Sequence, residues 1–224
     1  MKIDLLYALE KMPLILSYVD VTLLIAVCSM ALTLVFSLAI TIIRYYNVRI
    51  LTPIVNVYID LFRGTPLLTQ LFFIYYGLAQ LSATLRDMTP ITAAIFILAL
   101  NASAYTTENM RSALESVPRG QTEAGLACGM TDLQVMWHII LPQATKVAVP
   151  VLANDFIALL KNSSMAFTLG AREIMGQASL VGNAGFRFFE AYLDVFIIYF
   201  CLSKIIGIGQ KALEKRFRAQ ERTI

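Results

Sequence analysis

Charged residues, and the residue types that build most catalytic and metal centres, are scarce in this sequence. Only 15% of its 224 residues are Asp, Glu, Lys or Arg, there is one His, and the three Cys lie far apart, at positions 28, 128 and 201. A zinc site needs closely spaced Cys and His ligands, and a disulfide scaffold needs more Cys, so both are excluded. The 18 basic and 15 acidic residues give a net charge of +3, too small for a nucleic-acid-binding surface. Most soluble enzymes and a nucleic-acid partner are therefore excluded.

Apolar residues, in contrast, make up 58% of the chain, against roughly 45–50% in a soluble domain. They form runs of about the 20 residues that a helix needs to cross a bilayer core. The pattern predicts an all-α membrane protein in which residues 1–224 form one domain with five transmembrane helices. The predicted spans are about residues 14–43, 54–81, 89–111, 147–170 and 191–210, and the longest loop is about residues 112–146.

Lys and Arg predict how the spans are oriented, because they accumulate in short cytoplasmic segments. Arg44 and Arg49 follow the first predicted span. Five basic residues follow the last one: Lys211, Lys215, Arg216, Arg218 and Arg222. We therefore expect a cytoplasmic C-terminus and, with five spans, an N-terminus outside the cell. The first residues lack the features of a cleaved signal peptide, so the first span is expected to insert uncleaved.

The longest predicted loop contains signals for two short helices and a turn. Pro118 favours a helix start, and Gly129 favours a helix end because Gly adopts the left-handed conformation at low cost. Thr131 and Gln134 have the spacing of a capping box, so a second helix is expected to run from there toward Pro142. The loop is therefore predicted to be a short helix, a tight turn and an amphipathic helix that returns to the membrane.

This loop resembles the signature loop of ABC-importer permeases, which reads Glu-Ala-Ala, three residues, Gly, nine residues and Ile-x-Leu-Pro. The spacing is met throughout, with Gly in place of the second Ala. The matching residues are Glu123, Ala124, Gly125, Gly129, Ile139, Leu141 and Pro142. Other stretches resemble the polar-amino-acid branch of the family, among them residues 62–67, Gly120 with Gln121, and residues 160–164.

The resemblance implies the type I ABC importer permease fold, in a bacterial inner membrane. In that family the first loop helix docks on a separate ATPase subunit, which holds ATP and Mg. This chain has no G-x-x-x-x-G-K phosphate loop, so no cofactor is expected on it. A second permease subunit, an extracytoplasmic amino-acid-binding protein and membrane lipid are the other implied partners. The residues assigned to ATPase coupling are Gly120, Gln121, Glu123, Ala124, Gly125, Gly129, Leu141 and Pro142.

Polar residues inside the predicted spans are candidates for a substrate path, because such residues usually face a cavity or a partner. The candidates are Arg63, Thr65, Gln70, Asn101, Lys161, Asn162, Ser163 and Ser164. Each has a structural alternative. Gly64 and Pro66 predict a kink or break, with Arg63 pairing Asp60 at i+3. Asn101 can hydrogen-bond between helices, and Lys161 can extend to the membrane interface.

Two other function classes remain open from the residues themselves. A stand-alone secondary transporter would show an internal repeat, and none is evident in five spans. An intramembrane enzyme would need a Ser/His pair, a metal cluster or paired carboxylates, whereas the single His138 falls in the predicted cytoplasmic loop. Transport driven by a separate ATPase is therefore the preferred interpretation, with this chain as a transport subunit and not an enzyme.

Overall fold

The computed structural model describes residues 4–221, all of whose regular structure is helical. Arg222, one of the basic residues used to predict orientation, lies outside this range. The structure does not describe the side chains of Arg216 and Arg218. The α-helices are α1 (Leu5–Leu16), α2 (Val19–Tyr45), α3 (Leu51–Gly64), α4 (Leu67–Phe72), α5 (Ala83–Arg86), α6 (Pro90–Glu115), α7 (Arg119–Ala127), α8 (Asp132–Val135), α9 (Leu141–Asn162), α10 (Ile174–Gly185) and α11 (Phe188–Glu221). Short π-helical and 3-10 turns join several of them: Phe73–Gly77, Leu78–Gln80, Met136–Ile140 and Ser163–Leu169.

Helices α2 and α6 pack together through small and hydroxyl-bearing side chains. Small residues let two membrane helices approach closely, and hydroxyl groups then reach the carbonyls of the neighbouring helix. Ser29 Oγ donates to the Ile95 carbonyl at 3.2 Å, and Thr33 Oγ1 donates to the Ala99 carbonyl at 3.4 Å. The buried polar residues on this face of α2 are Thr22, Ser29, Thr33, Ser37 and Thr41. This pair of helices forms the centre of the fold.

Within residues 4–221, four helical segments are long and apolar enough to cross a membrane, whereas the sequence predicted five spans. They are Val19–Tyr45, Pro90–Glu115, Asp132–Leu169 and Phe188–Ala212. The missing one is the predicted second span, residues 54–81. It is divided into α3 and the six-residue α4, and Thr65 and Pro66 between them are extended, with ψ angles of 147° and 138°. The break predicted from Gly64 and Pro66 is present, and it removes the continuous second span.

The return helix and the predicted fourth span form one continuous helical segment. The sequence predicted that the return helix ends near Pro142 and that the span starts near residue 147. Instead, α8, the π-helical turn Met136–Ile140 and α9 follow one another without an interruption. Pro142 lies in the first turn of α9, where a missing N–H is tolerated. The elbow is thus continuous with the membrane-crossing part of α9.

The break between α3 and α4 is stabilised by two amide side chains. Pro66 has no N–H, so the Phe62 carbonyl lacks its usual donor four residues later. Gln70 Nε2 donates to that carbonyl at 2.9 Å and to the Thr65 carbonyl at 3.0 Å. Asn101 Nδ2, on α6, lies 3.4 Å from the same Phe62 oxygen and 2.9 Å from Gln70 Oε1. The predicted interhelical role of Asn101 is confirmed, and Gln70 has the same role.

We expect Gln70→Leu to destabilise the fold, because it removes the donor to the Phe62 and Thr65 carbonyls and leaves Asn101 Nδ2 with only its longer contact to the Phe62 carbonyl. The expected loss is about 1–3 kcal/mol, seen as a lower melting temperature of the detergent-purified protein. Asn183→Leu is the matched control, because Asn183 is exposed and bonds only within α10, to the Ser179 carbonyl and hydroxyl. Equal melting temperatures for the two variants would contradict this account of the break.

Candidate functional site

The elbow between α7 and α8 has the turn that Gly129 predicted. Gly129 has a φ of 82°, in the left-handed region. Its N–H bonds the Leu126 carbonyl at 2.9 Å, and the N–H of Met130 bonds the Gly125 carbonyl at 3.1 Å. These two bonds form a Schellman motif, which closes the C-terminal end of a helix. The end of α7 is therefore fixed by local chemistry.

The following helix begins at the predicted capping box. Thr131 Oγ1 accepts from the Gln134 N–H at 3.3 Å, and Gln134 Oε1 accepts from the Thr131 N–H at 2.8 Å. At the other end of the loop, Pro118 is the N-cap of α7, so the helix begins one residue after the predicted start. The end of α7 and the start of α8 are thus both specified by residues within a few positions of the turn.

Gly125 sets how closely α7 approaches the return helix. It is the buried residue of α7, and a Cβ atom at this position would lie 2.8 Å from Val135 Cγ2 and 2.9 Å from Ile139 Cδ1. Such distances are shorter than carbon contacts allow, so even Ala would push the two helices apart or displace these side chains. Gly125, which the sequence analysis assigned to ATPase coupling, is therefore packed inside this chain against the return helix.

The other predicted coupling residues of α7 remain exposed. Gly120, Gln121, Glu123 and Ala124 all face solvent, and within residues 4–221 Glu123 has no ion pair. The smallness of Ala124 is therefore unused inside this chain and is available to another surface. The elbow presents a helix whose angle is fixed and whose outer face is free.

Further along the chain, Leu141 and Pro142 lie at the start of α9, beyond the π-helical turn, and belong to the return helix. Two exposed apolar residues of this helix were missed by the sequence analysis, Leu133 and Trp137, of which Trp137 is 63% exposed. Their i, i+4 spacing on one face of the helix was the available signal.

A half-open cavity of about 520 Å³ lies beside the break, between the start of α4, α6 and the end of α9. Three of the predicted path residues line it: Thr65, Asn101 and Asn162. Asp155 also lines it and accepts hydrogen bonds from Thr106 Oγ1 at 2.9 Å and from Asn109 Nδ2 at 3.0 and 3.1 Å. The sequence analysis did not assign Asp155 to the path, although a carboxylate inside a predicted span was the signal.

The remaining predicted path residues do not gather at this cavity. Gln70 is buried at the break, and Ser163 is buried with its hydroxyl bonded to the Leu160 carbonyl at 2.7 Å. Ser164 donates to the carbonyl of Lys161 at 2.7 Å, and the Lys161 residue is exposed and does not line the cavity. The structure therefore brings Thr65, Asn101 and Asn162 to the cavity, with Gln70 bonded to the first two, whereas Lys161, Ser163 and Ser164 do not line it.

Arg63 belongs to an ion network and not to a pair with Asp60. Glu108 on α6 pairs with Arg44 of α2, with Arg111 at 3.1 Å and with Arg63 at 3.9 Å. The predicted pair of Arg63 with Asp60 is therefore wrong, because Arg63 of α3 contacts Glu108 of α6 instead. The guanidinium of Arg63 also lies over the ring of Tyr105, which lines the cavity, 5.7 Å from the ring centre. The network connects α2, α3 and α6 next to the cavity.

Buried acids lie at the opposite end of the bundle. Glu190 and Asp194, near the start of α11, are only 2% and 1% exposed. Glu173, which the sequence analysis did not single out, accepts from Tyr199 Oη at 2.9 Å and thereby ties the start of α10 to α11. Nearby, Arg187 donates to Asp4 at 2.6 Å, which lowers the pKa of the Asp4 carboxyl.

Comparison with known proteins places this architecture among transport proteins. Residues 34–219 match the family model described as "Binding-protein-dependent transport system inner membrane component". The chain is 43% identical over 199 residues to the probable amino-acid ABC transporter permease protein PatM of Vibrio harveyi, covering 89% of each chain. It is 40% identical over 221 residues to the probable amino-acid permease protein YxeN of Bacillus subtilis, covering 99% of each.

A solved structure has the same fold over nearly the whole chain. It is a chain from the crystal structure of an amino acid ABC transporter with histidines, and it superposes with a TM-score of 0.90 at 32% sequence identity. The match covers 96% of this chain and 100% of that one. The predicted type I importer permease fold is therefore confirmed, with four uninterrupted spans in place of five in the described residues.

We expect Gly125→Ala to disturb the elbow by overpacking, at a cost of about 1–3 kcal/mol in stability. The measurement is the melting temperature of the purified protein. Gly120→Ala is the control on the same helix, because a Cβ there has no heavy atom within 4 Å. In the double variant Gly125→Ala with Val135→Ala, the loss should be smaller than the sum of the two single losses. Identical melting temperatures for Gly125→Ala and Gly120→Ala would rule out the close contact.

Proposed function

Because the chain belongs to the family of binding-protein-dependent transport system inner membrane components, we propose that it is the permease subunit of an ATP-driven importer for polar amino acids. The observation that carries the proposal is the exposed α7 at a fixed elbow, joined without interruption to the membrane-crossing α9. The similar proteins described above are permeases, which favours a transport subunit over a stand-alone secondary transporter or an intramembrane enzyme.

The elbow end of the bundle is proposed to face the cytoplasm, with the N-terminus outside. Arg44, Arg111 and Arg119 all line one cavity at this end. Helix α11 runs antiparallel to α9, because Tyr199 bonds Glu173, which lies beyond the end of α9, whereas Gln210 bonds Asn154 and Pro150 inside α9. Lys211 therefore lies toward the same end. This concentration of cations agrees with the positive-inside rule.

ATP hydrolysis is proposed to occur on a partner subunit that binds ATP and Mg, with no cofactor on this chain. The free face of α7 fits a cleft in that subunit, where Glu123 would accept from a basic group and Ala124 would allow close approach. Movement of the ATPase would then be transmitted through the elbow to α9. The result is alternating access by rigid-body rocking between two states, each favoured by a different set of contacts.

The cavity beside the break is proposed to be part of the substrate path. It is half open and bounded by three parts of one chain, so a second permease, identical or homologous, is expected to complete the enclosure. An extracytoplasmic binding protein would deliver the substrate. The carboxylate of Asp155 suits an ammonium group, and Thr65, Asn101 and Asn162 offer neutral hydrogen bonds. These groups suit the ammonium group and the polar atoms of an amino acid.

We expect Glu123→Arg to abolish coupling without preventing membrane insertion, because the reversed charge would meet the proposed basic partner. Uptake by proteoliposomes that contain the assembled transporter should fall by about tenfold or more. The control is Asp87→Arg, the same reversal at an exposed site that follows α5. Normal uptake and normal stimulation of ATP hydrolysis by Glu123→Arg would overturn the proposed docking, as would a native assembly without any ATPase subunit.

We expect Asp155→Asn to lower amino-acid uptake by about tenfold or more, because a substrate ammonium loses its counter-charge. The measurement is the initial rate of uptake at several substrate concentrations, with assembly checked by co-purification. Asp60→Asn, an exposed carboxylate of α3 that does not line the cavity, is the matched control. In the same assay, Lys161→Met tests the prediction that Lys161 belongs to the substrate path. Unchanged substrate affinity and uptake rate would remove Lys161 from the path. Unchanged transport by Asp155→Asn would remove Asp155 from the path.

A further inference from the structure

A second cavity, of about 860 Å³, lies at the elbow end between α2, α3, α6 and α7. Its volume is in the range of sites that hold small ligands. Three arginines from different helices line it, Arg44, Arg111 and Arg119, together with one acid, Glu115. It is separate from the cavity beside the break, with which it shares no lining residue. Neither the coupling surface nor the proposed substrate path uses it.

The arginines of this cavity have donor groups to spare. Arg44 and Arg111 pair with Glu108, and Arg111 also pairs with Glu115 at 2.8 Å. Arg119 forms no ion pair with any residue in the described part of the chain. Each guanidinium has five N–H donors, so most of them remain available. The lining carries three guanidinium groups and one carboxylate, Glu115, so its net charge is positive, which favours an anion.

The neutral lining adds a buried acceptor. The Oδ1 atom of Asn56 is buried and has no hydrogen-bond partner in residues 4–221. An acceptor of this kind favours a ligand that carries a hydroxyl or another donor beside its anionic group. Thr52, which also lines the cavity, offers a hydroxyl close by in the same helix.

The rim of the cavity is apolar where α2 ends and α3 begins. Tyr45 lines the cavity and is 52% exposed, and Ile42 and Leu51, sequence neighbours of the lining residues Thr41 and Thr52, are 47% and 43% exposed. Exposed apolar side chains at the end of a membrane-crossing helix contact lipid chains. A ligand held here would therefore have an anionic group in the cavity and hydrocarbon outside it.

We propose that this cavity binds the phosphate and hydroxyl-bearing head group of an anionic phospholipid, such as phosphatidylglycerol. The phosphate lies among Arg119, Arg111 and Arg44, the head-group hydroxyl donates to Asn56, and the acyl chains run along Ile42 and Tyr45. Basic pockets between helices at a membrane surface recognise such head groups. The lipid would link α7 to α2 and α3 at the point where the elbow meets the bundle.

The test is the melting temperature of the full chain, purified in mild detergent with its native subunits, as phosphatidylglycerol or phosphatidylcholine is added. We expect phosphatidylglycerol to raise the melting temperature and phosphatidylcholine to have no such effect. Arg119→Gln should require about fivefold more phosphatidylglycerol for the same shift, the effect of one cation near an anionic lipid. Arg119→Lys should behave almost like the wild type, because it keeps the charge.

Two comparisons make the result specific. Lys211→Gln removes an exposed cation at the same end of the bundle, outside the cavity, and should leave the response to phosphatidylglycerol unchanged. An equal loss in Lys211→Gln and Arg119→Gln would overturn the site in favour of general surface charge. Inorganic phosphate is the second comparison. An equal shift with inorganic phosphate alone, lost in Arg119→Gln, would overturn the lipid assignment in favour of a soluble anion. No shift with phosphatidylglycerol would overturn the proposal entirely.

Discussion

The carbonyl of Phe62 imposes the constraint on which the membrane part of this protein depends. Pro66 cannot donate to it, and an unsatisfied carbonyl at membrane depth costs several kcal/mol. Gln70 and Asn101 supply the donors, which fixes the α3–α4 break against α6. The same break makes Thr65 and Pro66 part of the wall of the cavity. Without these amides the break would destabilise the fold; with them it is a rigid, polar edge of the cavity.

A second set of contacts joins that edge to the elbow. Arg63 lies over Tyr105 at the cavity and reaches Glu108, which also holds Arg44 and Arg111. Beyond Glu108, Arg111 pairs with Glu115 at the end of α6, just before α7 begins. Charged groups inside a membrane are costly unless they are paired, so this chain of ion pairs stabilises one relative position of α2, α3 and α6. Any movement of the elbow must either carry the network as a unit or rearrange it.

Local signals account for the parts that were predicted well. The left-handed Gly129, the capping box of Thr131 and Gln134 and the break at Pro66 each depend on residues within one turn, and each is present. Gly125, in contrast, stands where the family motif has Ala, and in the sequence this difference looked neutral. It proved to be required by Val135 and Ile139, which are ten and fourteen residues away and approach only after the turn has formed.

The sequence by itself determined the class of protein, the elbow and the family, because hydrophobic run length, helix caps and motif spacing are all properties of neighbouring residues. Tertiary structure alone decided which polar residues act together. It placed Asp155 in the cavity and Lys161 outside it, gave Arg63 to Glu108 rather than to Asp60, and buried Glu190 and Asp194. The reason is that a polar side chain in a membrane helix takes the partner that packing brings within reach, and for Arg63 and Asn101 that partner lies on another helix.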